Sequence, residues 1–264
     1  MSKQRTHRFL NFLLSMALLL LVVGCSAAQK SGPQARTYQG PSINIGEGSA
    51  HAFVALDATG KPTILGIKLS EQVLKNLPAE LPPGADRWEY KLALPAEAAG
   101  SGYDHIVVDW NPKGHVPQGV YDIAHFDFHF YLINEAERNL ITAVNEDLER
   151  ANKPPEKIHM PEGYILPPGT EIPRMGAHAI DPTSGEFNEK PFTATFIYGF
   201  YNGQMIFLEP MVSESYLKTR PDLTAPVPLP EKYALQAHYP TQYGIKYDKI
   251  NEEYVVSLEK LVSR

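Results

Sequence analysis

The chain has 264 residues, with 24 lysines and arginines against 30 aspartates and glutamates, and a net charge of −6 at neutral pH. It has no basic patch or run, which argues against nucleic acid as a partner. Its single cysteine, Cys25, excludes a disulfide framework and leaves the mature domain without a thiolate ligand or a catalytic thiol, so any metal must be held by histidines and carboxylates.

The N-terminus has the features of an export signal. Basic residues precede an almost wholly apolar run over residues 9–23, which is too short for a comfortable membrane span. A glycine and then Cys25 end the run, an arrangement that resembles a bacterial lipobox. We therefore predict a lipoprotein signal peptide over residues 1–24 and acylation of Cys25, with an uncleaved anchor helix as the alternative. Ser26, in place of an aspartate, indicates sorting to the periplasmic face of the outer membrane.

The rest of the chain is predicted to be a tether followed by one domain. Residues 25–40 begin with small and polar side chains, which are typical of a flexible tether between lipid and domain. Residues 41–264 are rich in glycine, proline and aromatic residues, as loop-rich β proteins are. Strand-turn-strand patterns open this part, and Ser70 can cap a short helix over residues 71–77. Two further strand candidates, 88–94 and 105–110, follow.

The segment His125–Tyr131, sequence HFDFHFY, separates into two faces when it is read with a period of two. Alternate side chains of an extended strand point to opposite faces. The three phenylalanines therefore fall on one face and predict a core anchor. His125, Asp127, His129 and Tyr131 fall on the other face. Such a polar row is suited to a divalent metal, although it is also what the solvent face of a half-buried sheet would present.

The periodicity changes after the strand. Asn134 and Glu137 form a capping-box pattern, and apolar residues then recur every four positions, which predicts an amphipathic helix to about Arg150 with Leu140, Val144 and Leu148 in the core. Further on, an Asn-Gly pair predicts a β-hairpin over residues 192–208. The predicted fold class is mostly β, a β-sandwich or β-barrel with one amphipathic helix and one short helix.

Four segments occur in an order that resembles a known family. They are the stretch WNPKGHVP from Trp110, the heptapeptide HFDFHFY, the segment Met175–His178, and the segment Phe207–Met211. Together they resemble a family of exported bacterial proteins of unknown function, of the Thermus "TTHB type", from about residue 40 to the C-terminus. The heptapeptide is the most specific of the four. The resemblance implies a single exported domain and names no reaction or substrate.

Strand geometry limits how the polar row can bind one ion. Residues two apart on a strand are about 6.6 Å apart, and a side chain with its metal bond reaches only about 5–7 Å. We therefore expect Asp127 to act with either His125 or His129, while the third residue needs a bend or a supporting role. His178, in a Gly-rich turn, is the best distant imidazole, and Glu209 the best further carboxylate.

Other histidines and Tyr131 are weaker candidates. His115, in a Pro/Gly loop, and Tyr131 are expected to support ligands by hydrogen bonds, and His51 is a reserve. The candidates also have ordinary alternatives. His115 could fix its loop by hydrogen bonding, His178 could be an ordinary loop histidine and His51 an ordinary strand residue. Glu209 could be a surface or salt-bridged acid, and Tyr131 could cap the strand. Ligation without a thiolate favours zinc or iron over copper(I).

Three functions remain open from the sequence. The first is an envelope protein that holds a divalent metal, the second a metal-dependent hydrolase-type enzyme, and the third a metal-free structural or assembly protein. No motif of a serine hydrolase, P-loop or dinucleotide site favours another enzyme class. The predicted partner is the membrane, through the lipid on Cys25. A homo-oligomer and an unidentified small-molecule ligand are left open.

Overall fold

Two antiparallel six-stranded sheets packed face to face form the protein. The structure is a computed structural model that describes residues 34–264. The predicted signal peptide, the lipidation site at Cys25 and most of the tether lie outside the described residues. No helix between residue 34 and the C-terminus combines the length and apolar character needed to cross a bilayer.

The first sheet, sheet I, has the strand order β1-β2-β3-β13-β12-β10, and sheet II has the order β4-β5-β6-β9-β8-β7. Strands β11 and β14 form a separate short ladder. Numbered along the chain, the strands of residues 34–264 are β1 Arg36–Ile45, β2 Gly48–Leu56, β3 Pro62–Ser70, β4 Trp88–Ala93, β5 His105–Asn111, β6 His125–Tyr131, β7 Ala177–Ala179, β8 Ala194–Tyr201, β9 Gln204–Ser213, β10 Asp222–Pro226, β11 His238–Tyr239, β12 Gln242–Asp248, β13 Glu253–Glu259 and β14 Val262–Ser263.

The main core lies between the two sheets. The three phenylalanines of β6 enter it from sheet II, as their spacing predicts, and meet residues of sheet I such as Val54 and Ile67. Neither sheet closes into a barrel within the described residues. The structure therefore confirms the β-sandwich, one of the two predicted alternatives. The Asn-Gly hairpin is also confirmed: Asn202 and Gly203 have φ values of 51° and 78°, as a tight hairpin turn requires.

The predicted amphipathic helix to Arg150 is wrong. It divides into α1 (Glu135–Asn139), a 3-10 turn (Asn145–Asp147) and α2 (Leu148–Ala151). The capping box of Asn134 and Glu137 is present. Leu140 is 73 % exposed, and Val144 and Leu148 are exposed too, so the predicted apolar stripe is not core.

The side chain of Asp147 explains the break. Its carboxylate accepts hydrogen bonds from the backbone N–H groups of Thr142 and Ala143, which competes with helical pairing. Ala143 takes a positive φ, which ends the helical path. The chain turns there so that Ile141 is buried on the outer face of sheet II.

Two boundaries also differ from the predictions. Strand β1 begins at Arg36, so residues 36–40 belong to the sheet and not to the tether. Gly40 and the following proline, which resemble a loop in the sequence, lie at an irregularity of this edge strand, a position that tolerates both residues. The helix predicted over residues 71–77 is a single 3-10 turn, Glu71–Leu74. Other 3-10 turns and the remaining short helix are Ala96–Ser101, Lys157–His159, Gly185–Phe187 and α3 (Glu214–Leu217).

Candidate metal centre

The polar face of β6 is not a solvent face. His125, Asp127 and His129 are 0 %, 3 % and 1 % exposed, so the solvent-face alternative is wrong. Loops from residues 112–121 and 161–192 cover this outer face of sheet II and bury small apolar clusters around it. Buried imidazoles and carboxylates need partners to offset their lost hydration, and the arrangement of these side chains therefore defines the site.

The polar residues form two groups. In the first, which we call the His125 cluster (His115, His125 and Asp127), His125 Nε2 is 3.2 Å from Asp127 Oδ1 and His115 Nε2 is 3.4 Å from Asp127 Oδ2. In each cluster, one ligand-type atom from every member lies within 4.8 Å of the others.

The second group, the His129 cluster, contains His129, His178 and Glu209. His129 Nε2 is 3.3 Å from Glu209 Oε1, and His178 Nε2 is 3.7 Å from Glu209 Oε2. One strand cannot bring His125, Asp127 and His129 to a single ion, and the structure divides them between two clusters. His125 and Asp127 belong to the first, and His129 belongs to the second. His178 joins Glu209 and His129, and not the Asp127 pair that we expected it to complete.

Strand pairing sets which side chains meet. Strand β9 pairs with β6 so that Met211 faces Asp127 and Leu208 faces Phe130, which places Glu209 beside His129. At the far edge of sheet II, β7 pairs with β8 and brings in His178. The ring of Phe207 packs against the imidazoles of His129 and His178, with centroid distances of 4.9 and 5.5 Å.

Backbone carbonyls fix the tautomers of three histidines. The Nδ1 atoms of His115, His125 and His178 lie 2.7, 2.6 and 2.7 Å from the carbonyl oxygens of Val116, Ile123 and Thr170. A carbonyl can only accept, so the neutral imidazole carries its proton on Nδ1 and its lone pair on Nε2. The three Nε2 lone pairs therefore point towards carboxylates, which also only accept.

Several buried polar atoms of the site have no hydrogen-bond partner. They include Nε2 of His125, both ring nitrogens of His129, and one oxygen each of Asp127 and Glu209. An unpartnered buried polar atom costs about 1–3 kcal/mol, and more when it is charged. A cation between the imidazole nitrogens and the carboxylate oxygens would satisfy them together, so this set of donors suits a metal ion.

The two carboxylates of the clusters titrate in opposite directions. Burial raises the pKa of Asp127, but the charges and hydrogen bonds that His125 and His115 supply in their protonated forms outweigh it and hold this pKa well below its usual range. Burial, reinforced by the charges of Asp127 and Asp109, raises the pKa of Glu209 well above its usual range. A metal ion would bind the ionised carboxylate and would therefore lower this pKa again.

The histidines also differ. Burial lowers the pKa of His129 well below its usual range and that of His178 to about 4, so both stay neutral in mildly acidic solution. Although burial lowers the pKa of His115, its hydrogen bond with Asp127 and the charge of Asp127 raise it overall. Neutral imidazoles are the form that binds metal, so the two histidines of the His129 cluster are ready for ligation over a wide pH range.

Sequence reasoning missed three residues beside the clusters. Asp109 is fully buried, 3.9 Å from His129 Nδ1, and its carboxylate lies 2.8 Å from Nε of Arg87. Asn111 donates a 2.7 Å hydrogen bond to Asp127. The available signals were an acid within the apolar strand β5 and the asparagine of the WNP motif. Arg87 carried no signal of its own.

Tyr131, which was predicted as a support, and His51, which was predicted as a reserve, have other roles. Tyr131 lies beside His129, but its hydroxyl donates to the backbone oxygen of Arg174 and its ring packs under the guanidinium of Arg138. His51 belongs to β2 in sheet I, opposite Lys68, and is in neither cluster. His115, predicted as a support, is instead a member of the His125 cluster.

Both clusters open into one cavity of about 390 Å³. Asp127 and His115 of the first cluster and His129, His178 and Glu209 of the second line it. Its walls come from the covering loops and are mostly apolar. The site thus combines two His/carboxylate groups with a space large enough for a small molecule.

A glycine positions the loop that carries His115. Gly114 has a φ of 69°, and a Cβ at this position would lie 2.1 Å from the backbone oxygen of Tyr121. We expect Gly114→Ala to shift His115 and to weaken zinc binding at the His125 cluster by about tenfold, the lower end of the effect of disturbing groups that support ligands. Isothermal titration with zinc measures this change.

The same loop offers a matched control. Gly119 also has a positive φ, of 81°, but a Cβ there would meet nothing within 4 Å. Gly119→Ala therefore carries similar backbone strain without the collision and should leave zinc binding unchanged. Equal losses of affinity in both variants would contradict the role assigned to Gly114.

The shifted pKa of Asp109 predicts that the free energy of unfolding depends on pH. Burial outweighs the charge of Arg87 and raises the pKa of Asp109 from 3.8 to about 8. An acid whose pKa is raised by folding holds its proton more tightly in the folded state, so the free energy of unfolding falls as the pH rises from 3.8 to about 8. We expect Asp109→Asn to remove this contribution, a slope of up to about 1.4 kcal/mol per pH unit.

Urea unfolding in EDTA at pH 5, 6.5 and 8 measures the slope in the wild type and in Asp109→Asn. Because the loss begins at pH 3.8 and asparagine mimics the protonated acid throughout, the variant should already be more stable at pH 5, and the difference should widen towards pH 8. Parallel curves over this range would show that Asp109 titrates normally.

Fold and site together define a β-sandwich with a loop-covered cavity and two His/carboxylate clusters that could hold metal ions, of whose residues only His115 is substantially exposed. Residues 57–110 match the family model described as TTHB210-like, "Hypothetical protein TTHB210". This match confirms the resemblance to that family over residues 57–110, which include Trp110 but no other residue of the four segments. The matched segment contains Arg87 and Asp109 but none of the six cluster residues. No curated protein and no solved structure matches the chain.

Proposed function

We propose that the protein binds divalent metal ions, one in the His125 cluster and one in the His129 cluster, and presents them to a small-molecule cavity. The observation that carries the proposal is the spacing of the ligand-type atoms, several of which have no hydrogen-bond partner. Two ligands about 2.0–2.2 Å from a tetrahedral ion lie about 3.3–3.6 Å apart. The imidazole–carboxylate separations in the two clusters are 3.2, 3.4, 3.3 and 3.7 Å.

Ligand chemistry favours zinc or iron(II). Each cluster offers two imidazoles and one carboxylate, a set that both catalytic zinc sites and non-haem iron sites use. The carbonyl contacts of His115, His125 and His178 supply the outer hydrogen bonds that orient metal-binding histidines. Calcium and magnesium prefer oxygen ligands and are expected to bind poorly.

Elemental analysis of the full-length protein, purified without a polyhistidine tag, tests the proposal. The expected result is about two zinc or iron ions per chain after loading and dialysis, one for each cluster. His51→Gln is the matched control, because it removes a half-buried histidine that belongs to neither cluster. A wild-type protein that retains no metal would overturn the proposal.

A second candidate function, metal-dependent hydrolysis, is favoured by the cavity above the clusters. Each cluster supplies three protein ligands, which leaves one tetrahedral position for water or substrate, as catalytic sites require. A zinc ion bound there would lower the pKa of a coordinated water to about 7. Zinc-dependent cleavage of a p-nitrophenyl ester or phosphate, lost in Glu209→Gln and Asp127→Asn, would support this function. Binding of zinc without turnover would leave the binding function alone.

The cellular setting is also part of the proposal. The apolar run and Cys25 support export, acylation of that cysteine and attachment to the outer membrane at its periplasmic face. Metabolic labelling with a fatty acid should mark the wild type, and Cys25→Ser should abolish the label. A labelled variant would place the lipid elsewhere.

A further inference from the structure

The walls of the cavity offer a ligand few polar contacts. They are formed largely by side chains without hydrogen-bonding groups, among them Val116, Pro117, Pro167, Ile172, Ile180 and Phe187. Such a lining stabilises hydrocarbon, and it does not match a sugar or a nucleoside, whose hydroxyl and amide groups need partners. The body of the ligand should therefore be apolar.

Three polar side chains of the cavity outside the two clusters, those of Tyr121, Thr170 and Asn111, are already engaged within the protein. The hydroxyl of Tyr121 donates to Glu186, and that of Thr170 donates to the backbone oxygen of Pro167. The amide of Asn111 donates to Asp127. Ligand recognition by polar groups is thus concentrated on the floor, at the two clusters and at Arg87, which is the one arginine or lysine among the described residues that line the cavity.

The net charge of the two clusters and the residues around Arg87 determines which charged group a ligand should carry. Two aspartates besides Asp127 and Glu209, namely Asp86 and Asp109, lie against Arg87. The Asp86 side chain is 68 % exposed and is left to solvent. With Asp109, Asp127, Glu209 and Glu186, a buried acid that Tyr121 contacts, all ionised and Arg87 charged, the buried groups carry −3, so two divalent cations leave an excess of at least one positive charge. An excess charge in a buried, mostly apolar space requires a counter-charge.

We propose that the cavity binds an anionic amphiphile, a short hydrocarbon chain that ends in one carboxylate or phosphate, with the anionic head on the two metal ions and the chain along the apolar walls. This inference rests on the proposed metal binding. A volume of about 390 Å³ is near the lower end of the range for ligand pockets, about 300–1,000 Å³, and therefore limits the length of the chain.

Isothermal titration of the full-length, zinc-loaded protein with a carboxylate series tests the proposal. From acetate to octanoate, affinity should rise about fourfold per added methylene, because each buried methylene contributes about 0.8 kcal/mol. Hexadecanoate should break this trend, since its chain exceeds the cavity. Octanol, which lacks the charge, should bind at least about tenfold more weakly than octanoate. Octyl phosphate against octanoate distinguishes the two head groups.

Variants of the cavity walls test where the hydrocarbon chain of the ligand lies. Ile172→Ser should weaken octanoate binding by about fourfold or more while zinc content stays at the wild-type level, because a wall residue loses its apolar contact. Ile250→Ser, which changes an isoleucine that is 92 % exposed and does not line the cavity, is the matched control and should change neither property.

The outcomes separate the two proposals. If the protein takes up zinc but binds acetate, octanol and octanoate equally, the amphiphile proposal fails and metal binding stands. If EDTA-treated protein binds octanoate as tightly as zinc-loaded protein, the head-group argument fails. If zinc does not bind at all, both proposals fail.

Discussion

Replacing Glu209 by glutamine is expected to lower the metal content of the full-length protein from about two ions per chain to about one. The affinity for metal at the His129 cluster should fall at least 100-fold, because disturbing the groups that merely orient a ligand already costs about 10–100-fold. Glu209 is the only carboxylate of that cluster and faces both of its imidazoles. Glutamine keeps the shape but removes the charge that would neutralise an ion. Elemental analysis after dialysis measures the result.

Asp127→Asn is the corresponding change in the other cluster, where Asp127 faces His115 and His125. It should also leave about one ion per chain, and the double variant should retain almost none. Since the two residues belong to separate clusters, their effects on metal content should add. Loss of both ions in either single variant would show that the clusters act as one site.

Zinc is expected to stabilise the protein strongly. In the metal-free site, imidazole lone pairs are buried facing carboxylates, and several polar atoms have no hydrogen-bond partner. A bound ion would give these atoms a partner and remove the free-energy cost of leaving them unsatisfied. A ligand at about 1,000 times its Kd stabilises the folded state by about 4 kcal/mol per site. For a domain of this size each kcal/mol raises the Tm by about 2–4 °C, so each occupied cluster should add about 8–16 °C.

Thermal unfolding in EDTA, zinc and magnesium measures this stabilisation. Magnesium is the control ion, because it binds imidazole poorly and should shift the Tm little. The double variant of Asp127 and Glu209 should show no shift with zinc. Equal Tm values for the wild type in EDTA and zinc would mean that the clusters are held together without an ion.

Local pattern determined the central strand and its two faces. The alternation in HFDFHFY requires only the geometry of an extended chain, and the structure has the three phenylalanines in the core and the polar row opposite them. The Asn-Gly turn and the capping box at Asn134 were predictable for the same reason, because each depends on residues within a few positions.

Local pattern was insufficient where long-range contacts compete with it. The spacing of Leu140, Val144 and Leu148 favours a helix, but the backbone bonds to Asp147 and the burial of Ile141 against sheet II end that helix after α1. Nothing in the spacing of apolar residues indicates that Ile141, and not Leu140, will be covered.

By itself the sequence determined which chemical groups the site could use, since one cysteine leaves only imidazole and carboxylate for a metal. The tertiary structure alone decided how they are grouped. Register between β6 and β9 placed Glu209 beside His129, the edge strand β7 brought in His178, and a loop turned His115 towards Asp127. The physical reason is that strand pairing joins residues far apart in the chain, and a shift of one residue would point each side chain to the opposite face.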